Sequence, residues 1–378
     1  MPESRIPRIR ITVLLAVAVA LLVSACGGAA QNSPAARAAK LLPPAQVDTS
    51  DGLVVDGERL ADQALYAAAK QQKVVIYSAA GKEAEDLTLA RFTAETGIKT
   101  ELTRLPNNKL AERALSEHGA GRLGADVIRL TDPRTARRFA DAGVFAPYET
   151  PFHDRLRATG VTADPTWFPG YYFVNAMAYN SAILTQDPPD GWQDLIDPKY
   201  QGQLGVVAIT TGGTLNALTR FQLETFGPQF LDGLAANQPR VFDSTSTEID
   251  ALARGEISIA TVSFNNAFGA QSSGAPITLV VPKEGVSASE GPLGLTPKGV
   301  GNPAAQVFAN WSLSSAGQRF VGSQGFVPVR TDIGPVRSGD YELPTADSPR
   351  FHLLTEEGFR RHAEADEALW KQKFAFIG

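Results

Sequence analysis

Four short stretches bring together groups suited to holding a small solute. Thr210-Thr211-Gly212-Gly213-Thr214 leads into a run with apolar residues at Leu215, Leu218 and Phe221. Small residues at a helix start gather unpaired N–H groups, and the helix dipole adds to their preference for an anion. Thr211, Gly212, Gly213 and Thr214 are therefore candidate anion contacts, and Thr214 as a plain N-cap is the alternative. Ser78-Ala79-Ala80-Gly81 ends one strand-like run and Ser263-Phe264-Asn265-Asn266 ends another. Ser78, Ala79, Asn265 and Asn266 offer neutral donors and acceptors for hydroxyls; equally, Ser78 terminates its strand and the Asn pair begins a helix. Asp132, in Thr131-Asp132-Pro133, either pairs with an amine or caps the helix that Pro133 starts. Tyr172 supplies an aromatic face or a hydroxyl, or packs in the core or hinge with Tyr171. There is no Gly-x-Ser-x-Gly, no His-Glu-x-x-His helix and no P-loop, and no His accompanies Ser78. A nucleophile with a visible base is missing, so the reading is not an enzyme, with no cofactor and no resident metal.

The elements that position these loops follow an α/β rhythm. Lys73–Ser78 is β-branched and breaks into an amphipathic helical pattern to Thr96, closed by Gly97. In open α/β sheets ligands sit beyond the carboxyl ends of the strands, where Ser78–Gly81 falls. Gly57–Gln71 reads as a helix, Asn107–His118 as another, and Ala125–Leu130 as a strand. The aromatic stretch to Trp167–Tyr172 is less regular, and Ala176–Tyr179 is a strand. Further strands are expected at Gly205–Val207, Arg240–Phe242, Ile257–Val262, Ile277–Val281 and Gly294–Thr296. Helices are expected from Asn302 to Leu313, from Ser315, and over Glu356–Phe374. Trp192 and Trp311 read as core.

Arg5, Arg8 and Arg10 precede an apolar run from Ile11 to Val23, which ends in small residues before Cys26. This is a secretory leader over residues 1–25. The single cysteine of the chain stands at the cleavage point, so there is no disulfide framework. Val23–Gly27 resembles a bacterial lipobox, which implies lipidation of Cys26 after cleavage. Removing the leader leaves 32 basic and 39 acidic residues, a net charge of −7. Nucleic acid needs a basic face, and this balance offers none. Residues 26–54, rich in Ala, Pro, Ser, Asn and Gln at their start, read as a lipidated end and flexible tether. What remains exceeds one comfortable core, so two lobes are expected.

The lipobox, Val74–Ser78, Phe92–Ile98, Ala125-Asp126-Val127, Trp192–Gly202, Pro303–Gln318 and Val327–Arg330 together resemble the substrate-binding proteins of bacterial ABC importers, in the branch of ferric-ion, phosphonate, thiamine and polyamine binders. The resemblance implies an α/β, two-lobed periplasmic-binding-protein fold with a ligand cleft and crossing hinge strands. It places residues 55–155 with 275–314 in lobe one, and 156–274 with 315–378 in lobe two. It implies a monomer, anchored by Cys26 on the outer side of the cytoplasmic membrane, that closes on a small solute and passes it to an ABC permease and ATPase complex.

Ferric members hold metal with a His, a Glu and paired tyrosines. At the matching positions this chain has Gly81, Thr131 and Asn265-Asn266, and Asn amides are poor ligands for a hard trivalent cation. None of His118, His153, His352 and His362 falls in a cleft loop. The expected cargo is thus an organic solute with a phosphate- or phosphonate-like group. The alternatives are ferric iron on non-standard ligands, or a sensor or surface lipoprotein on the same fold.

Overall fold

The computed structural model describes residues 33–158 and 165–375; the leader over 1–25 and Cys26 lie outside the described residues. The described chain opens with α1 (Pro34–Leu41), then a small antiparallel sheet of β1 (Val47–Asp48), β2 (Leu53–Val55) and β3 (Glu58–Ala61). Next come α2 (Gln63–Ala69), β4 (Lys73–Ser78), α3 (Lys82–Thr96), β5 (Lys99–Arg104), α4 (Asn107–Gly119), β6 (Val127–Arg129), α5 (Pro133–Asp141), α6 (His153–Ala158) and the long β7 (Trp167–Asn180). The chain continues through β8 (Leu204–Val207), α7 (Gly213–Phe226), α8 (Gln229–Ala236), β9 (Arg240–Phe242), α9 (Thr245–Ala253), β10 (Ile259–Ser263), α10 (Phe264–Ser272) and β11 (Ile277–Val280). It returns on β12 (Val286–Leu295) and closes with α11 (Pro297–Val300), α12 (Pro303–Leu313), α13 (Ser315–Ser323), β13 (Arg337–Ser338), β14 (Tyr341–Glu342), β15 (Phe351–Leu354) and α14 (Glu356–Lys373).

One ten-stranded sheet runs β5-β4-β6-β12-β7-β10-β8-β9, with β11 added to β7 and β15 to β12. Its centre is the antiparallel pair β7 and β12, registered from Ser287 opposite Asn175 to Gly294 opposite Trp167. One end of the pair joins the parallel strands β4, β5 and β6; the other joins β10, β8 and β9. Two α/β halves therefore share two strands that cross between them. Each half has its own aromatic packing: Phe92 meets Phe308 and Trp311 edge-on at 5.0 and 5.5 Å, and Trp192 meets Phe221 at 5.7 Å.

The structure departs from the sequence reading at several points. The helix expected over Gly57–Gln71 is a strand, β3, followed by α2, because Asp62 adopts an extended backbone and its side chain accepts the Leu65 N–H as an N-cap. Residues 34–41, expected within a tether, form a helix packed on α3, with Ala38 buried. β11 pairs with the end of β7 that also carries β10, so it sits in the second half rather than the first. α13 packs on α12, α3 and β13, so the chain stays in the first half past residue 315, while β15 lies against α7 and α14 against α7, α8 and α5.

Candidate functional site

β4 ends at Ser78 and the chain turns through Ala79–Gly81 into α3, which has Gly81 as N-cap and no side-chain cap. Across from it, β10 ends at Ser263 and α10 begins, again with no side-chain cap on its first turn. The two helix starts meet. A Cβ added to Gly81 would stand 3.6 Å from Asn266 Oδ1, and one added to Gly269 would stand 3.8 Å from Glu83 Oε2. Beside this meeting point lies a groove of about 580 Å³, a volume suited to a small organic molecule. The first half lines it with Gly81, Lys82, Glu83, Ala84 and Leu87, and the second half with Asn265, Asn266, Phe268 and Gly269 of α10. Ser246, Ile249 and Asp250 of α9, Gln324, and Arg37, Lys40 and Leu41 of α1 add to it, with Ala270, Ser272 and Ser273 at the far end of α10.

The electrostatics of the groove follow from its two helix ends. Orphan N–H groups and the dipoles of α3 and α10 make their meeting point favourable for negative charge. Among the charged side chains, Arg37 pairs with Glu83 at 2.5 Å and Lys82 with Asp86 at 2.5 Å. Asn265 and Asn266 supply neutral amides: Ser263 Oγ donates to Asn265 Oδ1 at 2.9 Å, and Asn265 Nδ2 donates to Asn266 Oδ1 at 2.9 Å. Asn265 is buried and Asn266 exposed.

The other residues singled out from the sequence lie elsewhere. Ser78 has 0% exposure, donates to Glu85 Oε1 at 2.9 Å and accepts the Ala80 N–H at 3.1 Å. Glu85 also accepts from Arg129 at 2.8 Å, and the Arg129 guanidinium lies 4.9 Å over the Tyr171 ring. These four groups form a buried network beneath the loop, and Ala79 above it is buried too. Tyr172 is buried, exchanges both backbone hydrogen bonds with Val327 and meets Phe351 edge-on at 5.2 Å; burial raises its phenol pKa and the nearby Glu290 adds to the rise. Asp132 caps α5 through the Arg134 N–H at 2.9 Å and pairs with the Arg134 guanidinium at 2.7 Å. α7 starts at Gly213 with Gly212 as N-cap and no side-chain cap, so Thr214 is not the cap. A Cβ at Gly213 would stand 3.4 Å from Phe359 Cζ and 3.5 Å from the Thr131 carbonyl. The Thr211–Thr214 loop thus faces the Thr131-Asp132 turn and α14, outside the groove, with Thr211 itself exposed.

The fold has counterparts. Residues 88–343 match the family described as bacterial extracellular solute-binding proteins. The chain belongs to that family. A relative in Haemophilus influenzae, an uncharacterized protein, is 24% identical over 309 residues, spanning 78% of this chain and 87% of that one. Among solved structures the fold is similar to the periplasmic binding protein AfuA from Actinobacillus pleuropneumoniae with fructose-6-phosphate bound, at 19% identity and a TM-score of 0.59 over 81% of this chain and 99% of the other. It is also similar to iron-bound HitA from Pseudomonas aeruginosa, at 20% identity and a TM-score of 0.58 over 80% and 97% of the two chains. This solute-binding protein is therefore two-lobed, as its motifs imply, and is the substrate-binding component of an ABC importer. No described helix is long and apolar enough to cross a membrane.

Two parts of the groove in the solute-binding protein escape sequence reading. Gln324 follows α13 without any motif around it, and its place in the groove depends on a long-range contact with Thr88. Arg37 and Lys40 sit in a stretch whose composition suggests a tether, although Ser33-Pro34 is a helix-start signal of the usual kind.

Proposed function

We propose that this protein captures a small organic anion, of the phosphate-bearing or phosphonate-bearing class, in the groove between α3 and α10, and that closure of the two halves holds it for transfer to a membrane permease. The observation that carries the reading is the meeting of two helix starts without side-chain caps, one from each half, beside neutral amides. An anion there interacts with both halves at once, which stabilises the closed arrangement by differential contacts. The neighbour that holds fructose-6-phosphate supports the class of solute. Iron-bound HitA has the same fold, but Gly81, Asn265 and Asn266 supply no anionic oxygen for a ferric ion, and among the described residues no group of three His, Cys, Asp or Glu is placed to hold a metal. Cys26, as a lipid anchor, keeps the protein at the outer face of the membrane.

Calorimetric titration of the chain from Gly27 onward with fructose 6-phosphate, inorganic phosphate, a phosphonate and ferric citrate tests this. Binding of a phosphorylated or phosphonate compound is expected. Asn266→Asp, which places a carboxylate at the α10 start, is expected to weaken that binding by about tenfold or more. Binding of ferric iron alone, or an unchanged affinity in Asn266→Asp, overturns the reading.

A further inference from the structure

The helix α1 does not behave as tether. Its exit is bound into a buried site on α3. Arg91 and Glu95, each about 5% exposed or less, pair at 2.5 Å. Arg91 donates to the carbonyls of Leu42 at 2.8 Å and Pro43 at 2.5 Å, while Glu95 accepts the Ala45 N–H at 3.2 Å. Two charges buried in α3 are thus satisfied by the backbone that follows α1, and leaving either unpaired is costly. Ser33 caps the helix start and Ala38 is buried, so both ends and the inner face are fixed.

Fixed in this way, α1 turns a different face to the groove. Arg37, Lys40 and Leu41 are three and four residues apart, hence neighbours on one side of a helix, and all three line the groove. Arg37 is held by Glu83, and Lys82 by Asp86. Lys40 has no ion pair among the described residues, and the groove it lines also carries the exposed Asp250. A second observation points to a ligand in the same place. Gln324 is 5% exposed and lines the groove; its Nε2 donates to Thr88 Oγ1 at 3.0 Å, but its buried Oε1 has no partner. A buried amide oxygen without a donor is uncommon, and a solute O–H or N–H satisfies it.

We infer that α1 is a wall of the solute site, that Lys40 is a specificity-determining residue for the anionic group, and that the solute carries a hydroxyl or N–H donor for Gln324. This rests on the groove reading above and narrows it to hydroxylated organic anions, with the segment next to the lipid anchor forming part of the site. The probes are fructose 6-phosphate, fructose and inorganic phosphate, titrated into the chain from Gly27 onward and into Lys40→Gln and Lys40→Arg. Lys40→Gln is expected to weaken fructose 6-phosphate about tenfold, to leave any fructose binding unchanged and to flatten the salt dependence, while Lys40→Arg recovers most of the affinity. Urea midpoints of the three proteins should coincide, because Lys40 is exposed and unpaired. Gln324→Leu should weaken fructose 6-phosphate more than inorganic phosphate, and equal loss for both overturns the donor assignment. Should the unaltered protein bind fructose 6-phosphate and Lys40→Gln bind it equally well, the role of α1 falls while the groove stands. Should the unaltered protein bind none of the phosphates, both fall.

Discussion

Ser78 sits at the end of β4, where a solute contact is expected from sequence, yet it is fully buried on Glu85. Replacing it with Ala separates the two roles. Glu85 is 1% exposed and its carboxylate is satisfied by two donors, Ser78 Oγ at 2.9 Å and Arg129 at 2.8 Å. Losing a hydrogen bond to a buried charged group costs about 1.5–3 kcal/mol. The Ala80 N–H, which donates to Ser78 Oγ at 3.1 Å, loses its acceptor as well. Ser78→Ala should therefore lower stability by roughly 2–3 kcal/mol, and Arg129→Met, which strands the carboxylate, by roughly 3–5 kcal/mol. The double variant Arg129→Met with Glu85→Gln should be less destabilised than the sum, since the stranded charge is gone. Urea unfolding followed by tryptophan fluorescence measures this through the midpoint at constant slope. Solute affinity should stay within about twofold in Ser78→Ala, because the side chain reaches no groove surface. A Ser78→Ala variant with an unaltered urea midpoint and lost solute binding would instead place Ser78 in the cleft.

Three further outcomes follow from the same structure. Glu290, 4% exposed on β12 with an unpartnered Oε2, has its pKa raised to about 7 by burial and then by the Glu356 charge. Its folded form holds a proton that the unfolded chain releases near the ordinary carboxyl value, so stability should be full below about pH 4.5 and fall as pH rises to about 7; Glu290→Gln should remove this fall, on the order of 3 kcal/mol, in urea titrations at pH 5 and 8. Starting the chain at Val47 removes three backbone partners of Arg91 and Glu95 and should cost roughly 2–4 kcal/mol, and an unchanged urea midpoint would mean that α1 is not docked in solution. Gly291→Ala would put a Cβ 2.7 Å from Tyr171 Cε2 and 3.2 Å from Phe173 Cε2, so about 1–3 kcal/mol of destabilisation is expected from displaced rings, read from the same unfolding curves.

Local signals made much of the fold legible. β4, α3 and Gly97 are set by a β-branched run, an amphipathic stripe and a left-handed C-cap, all within 25 residues of one another, and Gly97 takes a φ of 69°. β12 carries such a signal only at its end, where a strand is expected from Gly294. Its Ser287, Ser289, Gly291, Pro292 and Gly294 are poor strand formers taken singly, and it is buried along its whole length, so no alternation marks it. Its strand character comes from neighbours on both edges, β7 on one and β6 with β15 on the other. The burial of Ser78 is equally non-local, because the Arg129 that completes its network is 44 residues beyond Glu85. The Asn265-Asn266 pair was easier to place, since the Ile257–Val262 run announces a strand end immediately before it. Composition misleads at α1: an Ala-rich octapeptide reads as linker until Arg91 and Glu95 supply partners for the backbone beyond it.

The groove and the crossing strands are joined by a short path through the segment after α13. In the β7–β12 pair the register shifts between Gly291 and Pro292, and Pro292 stands opposite Pro169. Two prolines facing each other remove two ladder donors, so the pair is most easily bent where the chain passes between halves. Against that point sits an aromatic cluster in which Phe326 meets Tyr171 at 4.3 Å and Phe173 at 5.5 Å. Phe326 is held there by Val327, which exchanges backbone hydrogen bonds with Tyr172, and Gln318 donates to the Gly170 carbonyl at 2.7 Å. Two residues before Phe326 is Gln324, on the groove, and between them Gly325 has a φ of 90° and lies so close to α10 that a Cβ would stand 2.9 Å from Asn265 Cα. A solute that engages Gln324 and Asn265 together therefore fixes the second half against the segment that wedges the bendable point. If the solute sits in the proposed groove, binding and closure are coupled there, because Gln324 lies two residues from the Phe326 that packs on Tyr171 and Phe173.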